Sequence, residues 1–290
     1  MPQTAGQATK PRPRHELVMV VIQPLARRGV AALARTPVEP WQVVVAHSLL
    51  GLLAAFLIAG TSAAGWLVAA ALLQVKSLLD NIDGGLARAT GRVSELGRYL
   101  DTGLDLLVNV ALFMALSRHG PAGLAVAALL VLTLVLSCDH VAEKLYHAAR
   151  AGGANAKDEA GAGKASGGDD APHAPRQRRE SVPLLAFRGL YRLVLAPQDA
   201  ALARLDARLF EVASGRPAAS ARTPERQRWN DLYSTAALVN LGLSSQYLLL
   251  GVCLVLATPF TYVYLVLLQA VYVGVVQWSR VIRYRRGPSQ

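Results

Sequence analysis

Six apolar stretches, each close to twenty residues long, constrain this chain of 290 residues more than any other feature: 41–60, 63–80, 99–116, 122–138, 232–257 and 262–278. A helix rises 1.5 Å per residue, so about 20 residues cross a hydrocarbon core of roughly 30 Å. In hydrocarbon every backbone N–H and C=O must be satisfied internally, which a helix achieves within one segment. A water-soluble core has no use for six such runs. They predict an all-α, polytopic membrane protein with six transmembrane helices. The first run is not read as a cleaved leader, because forty mostly polar residues precede it.

The connections divide the chain further. Residues 1–40 form an N-terminal cytoplasmic segment, in which 17–33 predicts an amphipathic helix lying in the membrane interface. Residues 41–147 hold the first four spans, joined by short turns at Thr61-Ser62 and His119-Gly120-Pro121. Residues 148–182 are rich in Gly, Ala and charge without apolar periodicity, the composition of a flexible cytoplasmic loop. Residues 183–228 predict two further amphipathic helices. One covers 184–195, with Arg188 and Arg192 among Leu, Phe and Tyr; in the other Leu202, Leu205, Leu209 and Val212 recur at helical spacing after Pro197-Gln198-Asp199. All three amphipathic helices are expected on the membrane surface, with packing onto the protein itself as the alternative. Residues 229–290 hold the last two spans and a basic tail. Cys138 and Cys253 fall at or inside apolar spans and read as small packed hydrophobes.

Thirty Lys and Arg against nineteen Asp and Glu give a net charge of +11. In a soluble protein that excess would point to a polyanion such as nucleic acid. Its distribution says otherwise. Twenty-seven of the thirty cations fall in segments on one side of a six-span topology and only Arg118 on the other, while Lys76 and Lys144 lie toward helix ends on the basic side. The positive-inside bias then puts both termini and the long loop in the cytoplasm, in a multi-pass protein of the cell (inner) membrane. The basic collar faces anionic lipid headgroups, and no nucleic-acid partner is expected.

Charges within spans are expensive, on the order of 2.5–3.5 kcal/mol each at a helix centre. Yet Asp80 and Asp83 lie near the cytoplasmic end of the second span, and Asp101 and Asp105 near that of the third. At about 100° per residue, with Asp80 at zero, Asp83 falls near −60°, Gly84 near +40°, Ala87 near −20° and Arg88 near +80°. If the helix continues through Arg88, all five share one face. Asp101 and Asp105 are one turn apart, about 40° around their helix, with Gly97 about 40° to the other side. Two helices joined by a short turn can thus aim four carboxylates at one spot. Such a cluster repels itself unless cations intervene. Oxygen-only donors suit Mg2+ or Mn2+, and two such ions would clamp a diphosphate. Taken singly, each Asp could instead be a helix cap or pair with Arg88, Arg92, Arg98 or Lys76.

The string Asp80-Asn81-Ile82-Asp83-Gly84-Gly85-Leu86-Ala87-Arg88, eight further residues, then Gly97, Asp101 and Asp105 resembles the signature of the CDP-alcohol phosphotransferase (CDP-alcohol phosphatidyltransferase) family at every fixed position. The six spans and the motif's position across the second and third are similar too. The resemblance implies transfer of a substituted phosphate from a CDP-alcohol, with CDP-diacylglycerol the expected donor, to a small alcohol acceptor, with release of CMP. It also implies that Asp80, Asp83 and Asp101 ligate two Mg2+ or Mn2+ ions, Asp105 contributing to the second and serving as general base. Gly84, Ala87, Arg88 and Gly97 would meet the nucleotide, Arg88 neutralising the diphosphate. Family members often form homodimers.

The acceptor stays open. Several branches of the family carry a basic residue directly after the last Asp of the motif, where this chain has Leu106. That departure counts against glycerol-phosphate and inositol-phosphate acceptors, although Gly91-Arg92 with Ser94 looks similar to the inositol-phosphate branch. A phosphorylated acceptor would meet Lys144 and Arg280, whose other reading is as cations snorkelling at helix ends. Two further classes share part of this pattern. An intramembrane prenyltransferase would also hold a diphosphate through Mg2+, but lacks the Gly84-x2-Ala87-Arg88 element. A divalent-cation transporter would carry its carboxylates near mid-membrane rather than at the edge.

Overall fold

The computed structural model describes residues 17–150, 189, 193 and 195–287. Among the described residues the chain folds into ten α-helices without strands: α1 (Leu17–Leu33), α2 (Pro40–Ala59), α3 (Ala63–Ala89), α4 (Glu95–Leu116), α5 (Ala122–Arg150), α6 (Ala196–Ser214), α7 (Thr223–Trp229), α8 (Leu232–Val239), α9 (Leu243–Val255) and α10 (Thr261–Arg285). α2, α3, α4, α5 and α10 are each long and apolar enough to cross a membrane. The fifth expected span, 232–257, is not one straight helix but the pair α8 and α9, bent by 49°. The protein is a polytopic all-α membrane protein.

The bend has a local cause. Asn240, Leu241 and Gly242 interrupt an otherwise apolar run with two turn-forming residues. The side chain of Gln246 donates to the Leu241 carbonyl (2.9 Å) within the break, and that of Asn240 adds a second bond to the Ala236 carbonyl (2.8 Å), which also accepts from the Asn240 N–H (3.1 Å).

α3 begins at Ser62, whose hydroxyl accepts from the Gly65 N–H, and runs without interruption through Asp80 and Arg88 to Ala89. Its 27 residues span about 40 Å at 1.5 Å each, longer than the hydrocarbon core, so its last turns stand at the membrane edge. Gly91, at φ +66°, then reverses the chain. Ser94 caps α4 by accepting from the Gly97 N–H at 3.0 Å, which puts this motif glycine in the first turn. α5 continues to Arg150, a few residues past the expected boundary at 147. The rest of the 148–182 segment, residues 1–16 and 288–290, and all of the 184–195 helix except residues 189, 193 and 195 lie outside the described residues.

α2 packs on α3 and α4, while α9 and α1 both pack on α3. Ala54, Ile58, Leu73, Val108, Leu112, Leu132, Leu250 and Val263 form the buried centre. Close approach of α2 requires Gly51, where a Cβ would meet Val108 Cγ1 at 2.6 Å. α1 packs on the protein itself through Ile22 and Ala26, which are buried, while Val20, Val21 and Leu25 stay exposed. α6 likewise packs on α5 and α10, leaving Leu205 and Val212 exposed. A second apolar cluster, Phe210, Trp229 and Val281, ties α6 and α7 to α10. Phe56, Met114, Leu130 and Val271 point outward, the apolar surface a bilayer demands.

Candidate active site

Because α3 stays helical through the motif and α4 starts four residues after Gly91, the four expected carboxylates stand on consecutive helices. α2 lies against both and adds a residue the motif does not contain. His47 Nε2 lies 2.8 Å from Asp83 Oδ2, 3.7 Å from Asp101 Oδ1 and 4.0 Å from Asp80 Oδ1. One potential ligand atom from each of His47, Asp80, Asp83 and Asp101 falls within 4.8 Å of all the others. Asp105 stands outside this group. Its Oδ1 accepts a hydrogen bond from Lys76 Nζ at 2.6 Å.

Lys76 sits near the middle of α3, rather than toward its end as its sequence position on the basic side led us to expect, and is wholly buried. Its stem runs beside Gly51, where a Cβ would come within 3.1 Å of Lys76 Cδ. Its ammonium lies 3.4 Å from His47 Nδ1 and 5.0 Å from the centroid of the buried Tyr247 ring. An ammonium has only donors, so Nδ1 must accept and the His47 proton resides on Nε2, which donates to Asp83. A continuous chain results, half-buried at its Asp105 end and buried beyond it: Asp105, Lys76, His47, Asp83.

The residues fit a divalent cation. Asp101 Oδ1 is buried without a hydrogen-bond partner, and a cation would satisfy the lone pairs that no donor reaches. The three carboxylates form an all-oxygen donor set suited to Mg2+ or Mn2+, while His47, with Nδ1 facing Lys76 and Nε2–H facing Asp83, orients Asp83 rather than adding a ligand.

The expected nucleotide-facing residues share the same edge. Gly84 and Ala87 are half-buried and Arg88 is exposed, with Arg88 Nη1 3.4 Å from where a Gly84 Cβ would stand. Gly97 lies at the start of α4. Asn81 Nδ2 donates to the Ser77 carbonyl (2.8 Å) and lies 3.5 Å from Ser244 Oγ, so the bend before α9 brings its first turn beside the motif. The two residues expected at an acceptor phosphate differ in character. Lys144 is exposed on α5. Arg280 is buried: it pairs with Asp206, donates from Nε to the Trp229 carbonyl (2.8 Å) and from Nη2 to Asn230 Oδ1 (2.7 Å), and stacks 4.0 Å from the Trp229 ring.

Reasoning from sequence missed His47 and the placement of Lys76. The signal was there: both are ionisable residues within apolar runs, subject to the same cost that singled out the Asp residues.

Residues 39–164 match the family model of CDP-alcohol phosphatidyltransferases. The chain is 35% identical over 100 residues to an archaetidylinositol phosphate synthase of Pyrococcus horikoshii, covering 34% of this chain and 51% of that protein. It is 39% identical over 80 residues to a bifunctional IPC transferase and DIPP synthase of Aquifex aeolicus, 28% of this chain and 18% of the relative. A protein of the same name from Thermococcus kodakarensis is 40% identical over 90 residues, 31% and 20% of the two chains. The chain thus spans about half the length of the first relative and about a fifth of the other two.

Proposed function

With a CDP-alcohol phosphatidyltransferase domain across residues 39–164 as the premise, we propose that this protein is a transferase of phospholipid biosynthesis. It moves a substituted phosphate from a CDP-alcohol, CDP-diacylglycerol in the first instance, to the hydroxyl of a small alcohol and releases CMP. The observation that carries this reading is the convergence of Asp80, Asp83 and Asp101 from two helices, beside an edge kept free of bulk by Gly84 and Ala87.

Asp80, Asp83 and Asp101 would hold Mg2+ or Mn2+, with Asp105 contributing to a second ion. When bound, the metal supplies positive charge that offsets the diphosphate and the charge developing on the leaving CMP. Arg88, exposed beside Gly84, adds a fixed guanidinium to the same anion. Gly84, Ala87 and Gly97 leave space for the nucleotide to lie against helix backbone. Asp105 accepts the acceptor's hydroxyl proton at Oδ2, since Oδ1 is engaged by Lys76. As that O–H bond breaks, the oxygen forms its bond to the phosphorus bearing the lipid. The bond from that phosphorus to the CMP oxygen breaks, and CMP carries away the electron pair. Soluble CMP must leave into the compartment that holds nucleotides, in keeping with the cytoplasmic side that the basic residues predict. Lys144, exposed on α5, is the cation that would meet an anionic acceptor, whereas Arg280 is engaged within the fold.

The test is an acceptor panel (inositol phosphate, glycerol phosphate, inositol, serine, choline) given to the purified full chain with CDP-diacylglycerol and Mg2+ or Mn2+. Inositol phosphate heads it because the product in the Pyrococcus relative's name, archaetidylinositol phosphate, contains an inositol phosphate group. Metal-dependent release of CMP with one acceptor supports the reading. Silence across the panel with either metal, and with other CDP-alcohols, would overturn it.

A further inference from the structure

Lys76 reaches two arms of the carboxylate cluster at once. Its ammonium donates to Asp105 Oδ1 at 2.6 Å and approaches His47 Nδ1 at 3.4 Å, and His47 Nε2 lies 2.8 Å from Asp83 Oδ2. The side chain is 0% exposed, confined between α2 at Gly51 and the Tyr247 ring. A simple structural ion pair needs one partner. This cation instead joins a carboxylate of the candidate metal group, by way of an imidazole, to the one carboxylate outside it.

We propose that Lys76 is a positioning residue: a built-in cation that pins Asp105 by one oxygen, leaving the other for the acceptor hydroxyl, and fixes the His47 tautomer that orients Asp83. The role given to Asp105 rests on the transferase reading above. The electrostatic part does not, because a fixed positive charge among these carboxylates opposes a divalent cation whatever the reaction.

Two variants of the full chain in detergent separate the possibilities. Lys76→Met keeps the length of the stem and removes the charge; Lys76→Arg keeps the charge but not the slender shape that passes Gly51. Mn2+ affinity, read by electron paramagnetic resonance without substrate, is expected to tighten at least about threefold in Lys76→Met and to stay within about twofold in Lys76→Arg. In the same Lys76→Met protein kcat for CMP release is expected to fall at least about tenfold, with the donor KM within about twofold. A merely structural role would weaken Mn2+ binding together with turnover, and that result overturns the proposal, as does unchanged Mn2+ affinity or unchanged kcat. Should Lys76→Met fail to fold, Lys76→Gln takes its place in the Mn2+ comparison with Lys76→Arg, and equal affinities overturn the proposal. A parent chain that binds Mn2+ yet releases no CMP would defeat the transferase reading and leave the Mn2+ comparison to decide the role of Lys76.

Discussion

Removing Arg280 separates a fold-holding residue from an acceptor-binding one. Its guanidinium is 7% exposed and its partner Asp206 15% exposed at the side chain. Further bonds go to the Trp229 carbonyl and to Asn230, and the plane stacks on Trp229, so α6, α7 and α10 meet at this one side chain. Breaking a buried pair from one side costs about 3–5 kcal/mol, since Asp206 loses its countercharge and keeps only the Trp229 Nε1 donor, and the Trp229 carbonyl loses the Arg280 Nε donor. At about 2–4 °C per kcal/mol for a chain of this size, Arg280→Met should lower the melting temperature by at least about 6 °C. The assay is built into the molecule: both cysteines, Cys138 and Cys253, are buried, so a thiol-reactive fluorophore reports unfolding. Arg280→Met combined with Asp206→Leu should be less damaging than Arg280→Met alone, because no charge is then left without its partner. An Arg280→Met protein melting within about 2 °C of the parent, but with a raised KM for the acceptor, would refute this and return Arg280 to the acceptor site.

Asp101→Asn should weaken Mn2+ binding at least about tenfold while leaving the melting temperature near that of the parent, since one of the oxygens it alters already lacks a donor. Unchanged affinity in a resonance titration would remove Asp101 from the metal site. Gly51→Val should cost about 1–3 kcal/mol by overpacking against Val108 and the Lys76 stem; a thermal scan showing no loss would contradict the close α2 approach. Arg118→Cys should react with a membrane-impermeant maleimide in intact cells and Arg92→Cys should not, both positions being exposed. The reverse pattern would invert the topology read from the basic residues.

The apolar runs and the spacing of the motif carried most of the fold and half of the site into view. Five spans follow from hydropathy alone because backbone satisfaction in lipid leaves the chain few options. That α3 would stay helical through Arg88 was implicit in the shared face of Asp80, Asp83, Gly84 and Ala87. The break at Asn240-Leu241-Gly242 was hidden because the residues around it are as apolar as a straight span requires, and only two of the three are turn formers. His47 lay hidden for a different reason. It stands 33 residues before Asp80, and its meeting with Asp83 depends on how α2 packs on α3, which Gly51 permits but no motif spacing encodes. Arg280 was misleading because a cation near a helix end looks the same in sequence whether it snorkels, binds substrate or pairs with a distant Asp206.

The most direct test of the whole account is CMP release from CDP-diacylglycerol by the purified chain, measured with its active acceptor in the presence of Mg2+ or Mn2+, after chelation, and in Asp105→Asn. The account predicts turnover that is lost on chelation and restored by either ion or by one of them. It also predicts that Asp105→Asn is inactive while it still binds CDP. Turnover in Asp105→Asn equal to that of the parent, or CMP release indifferent to chelation, would contradict it.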